Sequence, residues 1–147
     1  QINKDYNGST LDIICLSNSA MMFAIDIIKL LTLPSSLQIL SFVNYTEKNN
    51  NGDVRIIQDL SMPIENRDVL VLEGMIISGR TPLYLINYLR LRKPNSLKLA
   101  AIGIKPSALA VCLNVDYSLF NFTDEWVVGY GIGSPSQKTL PNLISLN

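Results

Sequence analysis

Short apolar runs separated by polar turns recur along this chain, and two amphipathic segments lie among them. Apolar runs of strand length cover residues 11–16, 37–43, 54–57, 69–72, 97–104, 117–122 and 126–130. Apolar residues at helical spacing predict helices over 20–33 and 82–92, and residues 1–6 predict the end of another helix. Strands that alternate with helices are typical of an α/β domain. We therefore expect a parallel sheet of about four or five strands flanked by helices.

The most informative stretch runs from residue 68 to residue 85. Residues 69–72 predict a buried strand that ends at Glu73 and Gly74. Pro82 fits the first position of the following helix, where its missing N–H removes no hydrogen bond. The turn between them contains Ser78, Gly79, Arg80 and Thr81. Because the N–H groups of a helix N-terminus bind anions, this turn predicts a phosphate site. The same pattern also occurs as an ordinary connection between a strand and a helix.

Composition narrows the class of protein. The chain has 147 residues, of which 48% are hydrophobic and 16% charged, so we expect one globular domain. Basic and acidic residues balance, and we expect no nucleic-acid partner. No run approaches the ~20 apolar residues of a membrane span, which favours a soluble protein of the cytoplasm or an organelle interior. The asparagine-rich residues 44–52 predict a polar loop.

The absence of histidine excludes several kinds of active site. Serine–histidine and cysteine–histidine catalysis and most zinc sites need an imidazole, so an enzyme here would work with carboxylates, lysine or magnesium. Cys15 and Cys112 stand in apolar surroundings without metal-type spacing. We expect buried free thiols, with a disulfide as the alternative.

Nearly the whole chain resembles one known family, and two segments carry most of the resemblance. V-L-V-L-E-G-M-I-I-S-G-R-T, residues 69–81, resembles the phosphoribosyl-diphosphate loop of the bacterial-type hypoxanthine-guanine phosphoribosyltransferases, V-L-(I/V)-V-E-D-I-I-D-(S/T)-G-x-T. W-V-V-G-Y-G-I-G, residues 126–133, is similar to the family's F-V-V-G-Y-G-L-D near the purine. The resemblance implies a type I phosphoribosyltransferase-like fold with a small hood region, formed as a single domain by residues 1–147. It also implies that an N-terminal part of the family domain is missing.

The resemblance assigns binding roles to seven residues. Ser78, Gly79, Arg80 and Thr81 would bind phosphate. Lys105 would bond the purine oxygen, Trp126 would stack on the base, and backbone groups of Val127 would read the exocyclic position. Structural roles are the alternatives: a solvated Lys105, a core Trp126, or an Arg80 that pairs with Asp68 or Glu73.

The positions at which this sequence differs from the family pattern are those that the resemblance links to catalysis and ligand binding. Gly74 replaces the second acid of the acidic pair that begins with Glu73, and Ile77 replaces the aspartate taken as the catalytic base. Gly133 replaces an aspartate that helps to hold magnesium, and Leu16-Ser17-Asn18 replaces a pyrophosphate-binding Leu-Lys-Gly. Lys138 or Thr139 falls where an arginine is usual. Asn44 replaces a serine, whereas Tyr45 is kept.

These departures predict a degenerate, catalytically inactive member of the family. Loss of a general base alone typically lowers the rate ~10²–10⁴-fold. The leading hypothesis is a structural or scaffolding subunit of a dimer or a larger assembly with protein partners. The alternatives are a purine nucleotide-binding module without turnover and a weakly active purine-salvage transferase. We predict no metal site, and magnesium would be needed only by the active alternative.

Overall fold

A computed structural model of the protein describes residues 1–45, 53–123 and 125–146. The strands are β1 Leu11–Leu16, β2 Ser35–Tyr45, β3 Asp53–Gln58, β4 Asp68–Ile76, β5 Ser96–Ile104, β6 Tyr117–Asn121, β7 Trp126–Val128 and β8 Ile144–Leu146. The helices are α1 Ile2–Asp5, α2 Met21–Leu30, α3 Arg80–Arg90 and α4 Pro135–Lys138. Short 3₁₀ turns cover Asn18–Ala20 and Pro106–Ala108.

Six strands form one sheet in the order β3-β2-β1-β4-β5-β6. Neighbours from β2 to β6 pair in parallel, and β3 pairs with β2 in the antiparallel sense. The chain first builds outward from β1 to β2 and later returns to the other side of β1 with β4. The predicted parallel α/β sheet is thus confirmed, with an antiparallel strand added at one edge.

The two faces of the sheet form two cores, because alternate residues of each strand point to opposite sides. On one face, Val69 and Val71 of β4 pack in a cluster with Leu85 and Leu89 of α3. On the other face, Leu70 and Leu72 of β4 belong to a cluster that contains Phe23 of α2. Burial on both sides explains why residues 13–16 of β1 and residues 69–72 of β4 are continuously apolar, without polar alternation.

Two predicted boundaries around the central strand are wrong. Strand β4 does not end at Glu73 and Gly74 but continues to Ile76, because its pairing with β5 also includes Met75 opposite Gly103. Helix α3 begins at Arg80 and not at Pro82. Gly79 adopts φ +75°, a left-handed conformation that glycine reaches without strain, and turns the chain into the helix.

Other boundaries differ by a few residues. Helix α2 ends at Leu30 because Leu31 is extended, with ψ 135°, so the predicted helix over 20–33 is too long. The strand predicted over 126–130 ends at Val128 and pairs with β8, which the sequence pattern did not predict. Together β7 and β8 form a small second sheet apart from the main one. Most of the polar loop predicted over 44–52, and residue 124, lie outside the described residues.

Two further predictions concern cysteine and membrane association. Cys15 is buried and free, as predicted, but Cys112 is free and exposed, because it lies in the connection between β5 and β6. In the part of the chain that the structure describes, no helix is long and apolar enough to cross a membrane.

Candidate functional site

The predicted phosphate turn follows the carboxyl end of β4, beside the carboxyl end of β1. These neighbouring strands are the place where the strand order reverses, since β1 leads to β2 on one side and β4 leads to β5 on the other. Ligands of open α/β sheets bind in the crevice outside such a reversal. The topology therefore puts the turn and the residues that follow β1 at the expected binding position.

The phosphate turn is held from behind by apolar side chains. A Cβ atom at Gly79 would lie 3.1 Å from atoms of both Leu109 and Val111, so the glycine also allows close packing. Because α3 begins at Arg80, Arg80 and Thr81 contribute their backbone N–H groups to the first turn of the helix. The Thr81 hydroxyl donates to Asn44 Oδ1 at 3.3 Å, which links the turn to β2.

Glu73 is the carboxylate nearest this turn in sequence, and it is only 7% exposed. Its Oε1 accepts hydrogen bonds from the Gly74 N–H at 2.8 Å and from the Ser19 hydroxyl at 3.3 Å. Burial raises the Glu73 pKa to about 7, while these two hydrogen bonds lower it. Burial, with a smaller contribution from the Glu73 charge, likewise raises the pKa of the Cys15 thiol to about 12.

Ser19 occupies the space beside Gly74. A Cβ atom at Gly74 would lie 3.0 Å from the Ser19 carbonyl oxygen and 3.2 Å from its Cβ and Oγ. On the other side, a Cβ atom at Gly131 would lie 2.5 Å from the same carbonyl oxygen. The segment after β1 is thus enclosed between two glycines, and no space remains for a carboxylate side chain at position 74.

A pocket of about 360 Å³ opens at this place, and we call it the anion pocket. Its lining includes residues from four separated parts of the sequence, among them Ser17, Asn44, Glu73, Ile77, Thr81 and Lys138. Lys138 ends α4, and its carbonyl accepts a hydrogen bond from the Gly131 N–H at 3.0 Å. The structure therefore brings together most of the positions that sequence analysis assigned to phosphate and pyrophosphate.

A second pocket, of about 290 Å³, contains the three residues predicted to bind a purine, and we call it the aromatic pocket. Lys105, half-buried and engaged in contacts of its own, follows β5 there. Trp126 is 69% exposed, so the alternative that it belongs to the core is wrong. Val127 completes the predicted set, and Met75, Phe122 and Glu125 were not predicted.

The two pockets share Met75 and Ile77 in their linings, so together they form a two-part site. Ile77 is 55% exposed at this junction. Sequence analysis missed Met75 because it ended β4 at Gly74, although apolar residues continue through Ile76 and Ile77. It missed Ser19 because no local pattern indicates which side chain will pack beside Gly74.

The predicted alternative for Arg80 is not observed. Asp68 lies at the opposite end of β4 and accepts hydrogen bonds from Asn95 and Ser96, both at 2.7 Å. Glu73 is bonded to Ser19 and Gly74. The Arg80 side chain is exposed at the start of α3 and pairs with neither of these carboxylates.

The residues at the anion pocket do not fit a magnesium ion held by the protein. Magnesium prefers a regular set of oxygen ligands, usually including one or two carboxylates. Over the described ranges, no three cysteine, aspartate or glutamate side chains converge to hold a metal. Glu73 is the carboxylate of this pocket, whereas Gly74 and Ile77 have no oxygen in their side chains.

Comparison with known proteins adds the family context. A model of the phosphoribosyl transferase domain matches residues 1–134. A hypoxanthine-guanine phosphoribosyltransferase of Streptococcus thermophilus is 32% identical over 133 residues, which are 90% of this chain and 74% of that protein. One of Staphylococcus aureus is 34% identical over 135 residues, with the same coverage. A crystal structure of a Staphylococcus aureus hypoxanthine phosphoribosyltransferase superposes with a TM-score of 0.93 at 32% identity, covering 100% of this chain and 81% of that one.

Proposed function

From the premise that this chain belongs to the phosphoribosyltransferase family and is related to its hypoxanthine-guanine members, we propose that it is a catalytically inactive member. The observation that carries the proposal is Ile77, whose exposed side chain stands between the anion pocket and the aromatic pocket. The reaction of the family needs a base for the purine proton, and isoleucine has no atom that accepts one.

The carboxylates of the two pockets do not supply an obvious substitute. Glu73 is buried, and one of its oxygens accepts two hydrogen bonds. Glu125 lines the aromatic pocket with an exposed side chain beside Trp126. A weakly active enzyme would have to use one of these displaced groups, so Glu73→Gln and Glu125→Gln variants test that alternative directly.

Charge stabilisation also argues against turnover. Departure of pyrophosphate from a ribosyl cation-like state needs positive charge or metal beside the leaving group. Ser17 stands in place of the family lysine, and the residues of the anion pocket do not fit magnesium. Lys138 is the cation that lines this pocket, and it is held on the short helix α4.

A second function, purine nucleotide binding without turnover, has its own support. The anion pocket and the aromatic pocket adjoin at Met75 and Ile77. Thr81 and the first turn of α3 offer donors to a phosphate, and Trp126 offers an exposed ring to a base. Binding of a purine 5′-monophosphate needs these two features, but it needs neither a catalytic proton acceptor nor a metal.

A structural or scaffolding role is compatible with inactivity and is favoured by exposed apolar side chains outside the site. Leu119 and Phe120 are exposed on β6, the edge strand of the main sheet, and Leu91 is exposed after α3. Edge strands with exposed apolar residues are suited to protein contacts.

The test of inactivity is a transferase assay. Purified protein is incubated with hypoxanthine or guanine, phosphoribosyl diphosphate and magnesium, and nucleotide formation is followed over hours. We expect no product above that of a protein-free control. Turnover at an ordinary enzyme rate of ~1 per second or faster would overturn the proposal.

A further inference from the structure

Strand β6 forms one edge of the main sheet, and among the described strands only β5 pairs with it. Leu119 is 59% exposed and Phe120 is 52% exposed. Because these two residues are adjacent in the strand, their side chains point to opposite faces of the sheet. Phe120 lines a cavity of about 290 Å³ together with Val127 of β7 and Ser145 of β8, so the small sheet leaves its ring uncovered. Both faces of this edge therefore present an exposed apolar side chain.

The outward-facing backbone groups of β6 can be identified from its bonds to β5. The N–H groups of Asp116 and Phe122 both donate to carbonyl oxygens of β5 at 2.8 Å. Since successive residues of a strand direct their N–H and C=O groups to opposite sides, the even-numbered residues between them also face β5. The backbone groups of Tyr117, Leu119 and Asn121 therefore point away from the sheet, toward the position of a further strand.

This edge lacks the features that usually prevent strand addition. Natural edge strands are protected by charged residues, proline or β-bulges. Residues 117–123, Y-S-L-F-N-F-T, contain neither a charged residue nor a proline, and β6 keeps one register along β5. The opposite edge strand, β3, differs in both respects, because it contains the exposed Arg55 and its pairing with β2 includes a register shift. The edge at β6 is therefore the one suited to pairing with another chain.

We propose that β6 pairs in the antiparallel sense with β6 of a second copy of this chain, around a two-fold axis at Leu119. In this register the outward-facing groups of Leu119 pair with those of Leu119 of the partner subunit, and those of Tyr117 pair with those of Asn121 of the partner subunit. A two-fold interface uses the same patch on both subunits, so the assembly closes as a dimer and covers both edges at once.

Side-chain size and charge favour a second copy as the occupant. On one face of the joined sheet, the large Phe120 lies opposite the small Ser118 of the partner subunit, and on the other face the two Leu119 side chains meet. Asp116 lies opposite the uncharged Phe122 of the partner subunit, so the pairing sets no like charges against each other. The dimer names a partner for the structural role proposed above, and it does not depend on catalytic inactivity.

Analytical ultracentrifugation of the unaltered protein measures the association. We expect a species of twice the monomer mass that dissociates on dilution. A protein that stays monomeric at ~100 μM would overturn the inference and would leave the edge of β6 to a different protein partner.

Leu119→Lys should weaken the association about tenfold or more, because it sets two lysines against each other at the two-fold axis. Leu91→Lys is the matched control, since Leu91 is even more exposed than Leu119 but lies after α3. We expect Leu91→Lys to associate like wild type. Equal effects of the two substitutions would overturn the inference.

A cysteine cross-link tests the register without added charge, and it covers the case in which Leu119→Lys does not fold. Cys112→Ser first removes the exposed native thiol. In this background, Leu119→Cys should form a disulfide between the two copies in oxidised glutathione, because directly paired residues have Cα atoms about 5.5 Å apart, within the range that a disulfide spans. Leu91→Cys in the same background is the control.

If Leu119→Cys gives no more cross-linked dimer than Leu91→Cys, the proposed pairing is wrong. The transferase assay remains separate from these measurements, because turnover would refute inactivity whether or not the chain forms a dimer.

Discussion

Ser19 fills the space into which a side chain at Gly74 would project, with its carbonyl oxygen 3.0 Å from the position of the missing Cβ. The glycine and the serine are therefore coupled, because the absence of a side chain at position 74 allows the close approach of the segment after β1. The Ser19 hydroxyl also donates to Glu73, the remaining acid of the family pair. A side chain at position 74 would therefore require the segment around Ser19 to move.

Gly74→Ala should destabilise the protein. The added methyl group meets the Ser19 backbone at a distance tighter than ordinary packing, and overpacking of this kind costs about 1–3 kcal/mol. Urea unfolding gives the change in the free energy of unfolding. Ser118→Ala on the exposed edge strand β6 is the control, for which we expect a change within about 0.5 kcal/mol. If Gly74→Ala is as stable as wild type, the segment around Ser19 moves to accommodate the methyl group at little cost in free energy.

Ile77→Asp should not restore transferase activity. The substitution returns a proton acceptor to an exposed position, but the groups for pyrophosphate and magnesium are still missing. Nucleotide formation from guanine and phosphoribosyl diphosphate should stay at background for Ile77→Asp and for the control Ile77→Asn. Activity of the aspartate variant alone would mean that the base is the one component that this chain has lost.

Glu73 should make stability fall as the pH rises. Its pKa is about 7 in the folded chain, compared with an ordinary value of 4.5. Between these pH values the folded chain keeps a proton that the unfolded chain has released, so the contribution of Glu73 is fully present below about pH 4.5 and is lost by about pH 7.

Glu73→Gln removes this dependence while it keeps an acceptor for Gly74 and Ser19. In urea unfolding, we expect the variant to have the same free energy of unfolding as wild type near pH ~5. Near pH ~8 its free energy of unfolding should be higher by up to about 2–3 kcal/mol. Glu65→Gln, at an exposed position, is the control and should leave the difference between the two pH values unchanged. The prediction would be contradicted if the free energies of unfolding of Glu73→Gln and wild type differed by the same amount at both pH values.

A purine 5′-monophosphate should bind weakly and without magnesium, with a dissociation constant on the order of 1 mM. Phosphoribosyl diphosphate with magnesium should bind less well, because Ser17 and Ile77 in the anion pocket offer neither a second cation nor a second carboxylate beside Lys138 and Glu73. Calorimetry with both ligands measures which of the two binds more tightly. Lys138→Gln should weaken the monophosphate severalfold, whereas Lys93→Gln, beyond the other end of α3, should not. Tight, magnesium-dependent binding of the diphosphate would contradict this order.

The sequence by itself determined the fold class, and it predicted a place for the site. Continuous apolar runs such as residues 69–72 are typical of a strand in a sheet that is covered on both faces, and residues 78–81 follow that run after five intervening residues. The same motif predicts departures from the family pattern at Gly74, Ile77 and Gly133, because the residues around them keep its spacing.

Tertiary structure decided how those positions meet. Continuation of β4 through Met75 depends on hydrogen bonds to β5, which local propensity does not encode. The contact of Ser19 with Gly74 joins residues 55 positions apart, and the Phe122 ring covers Gly103 from the segment that follows β6. Such contacts depend on three-dimensional packing between segments that are distant in sequence, and a linear pattern therefore could not predict them.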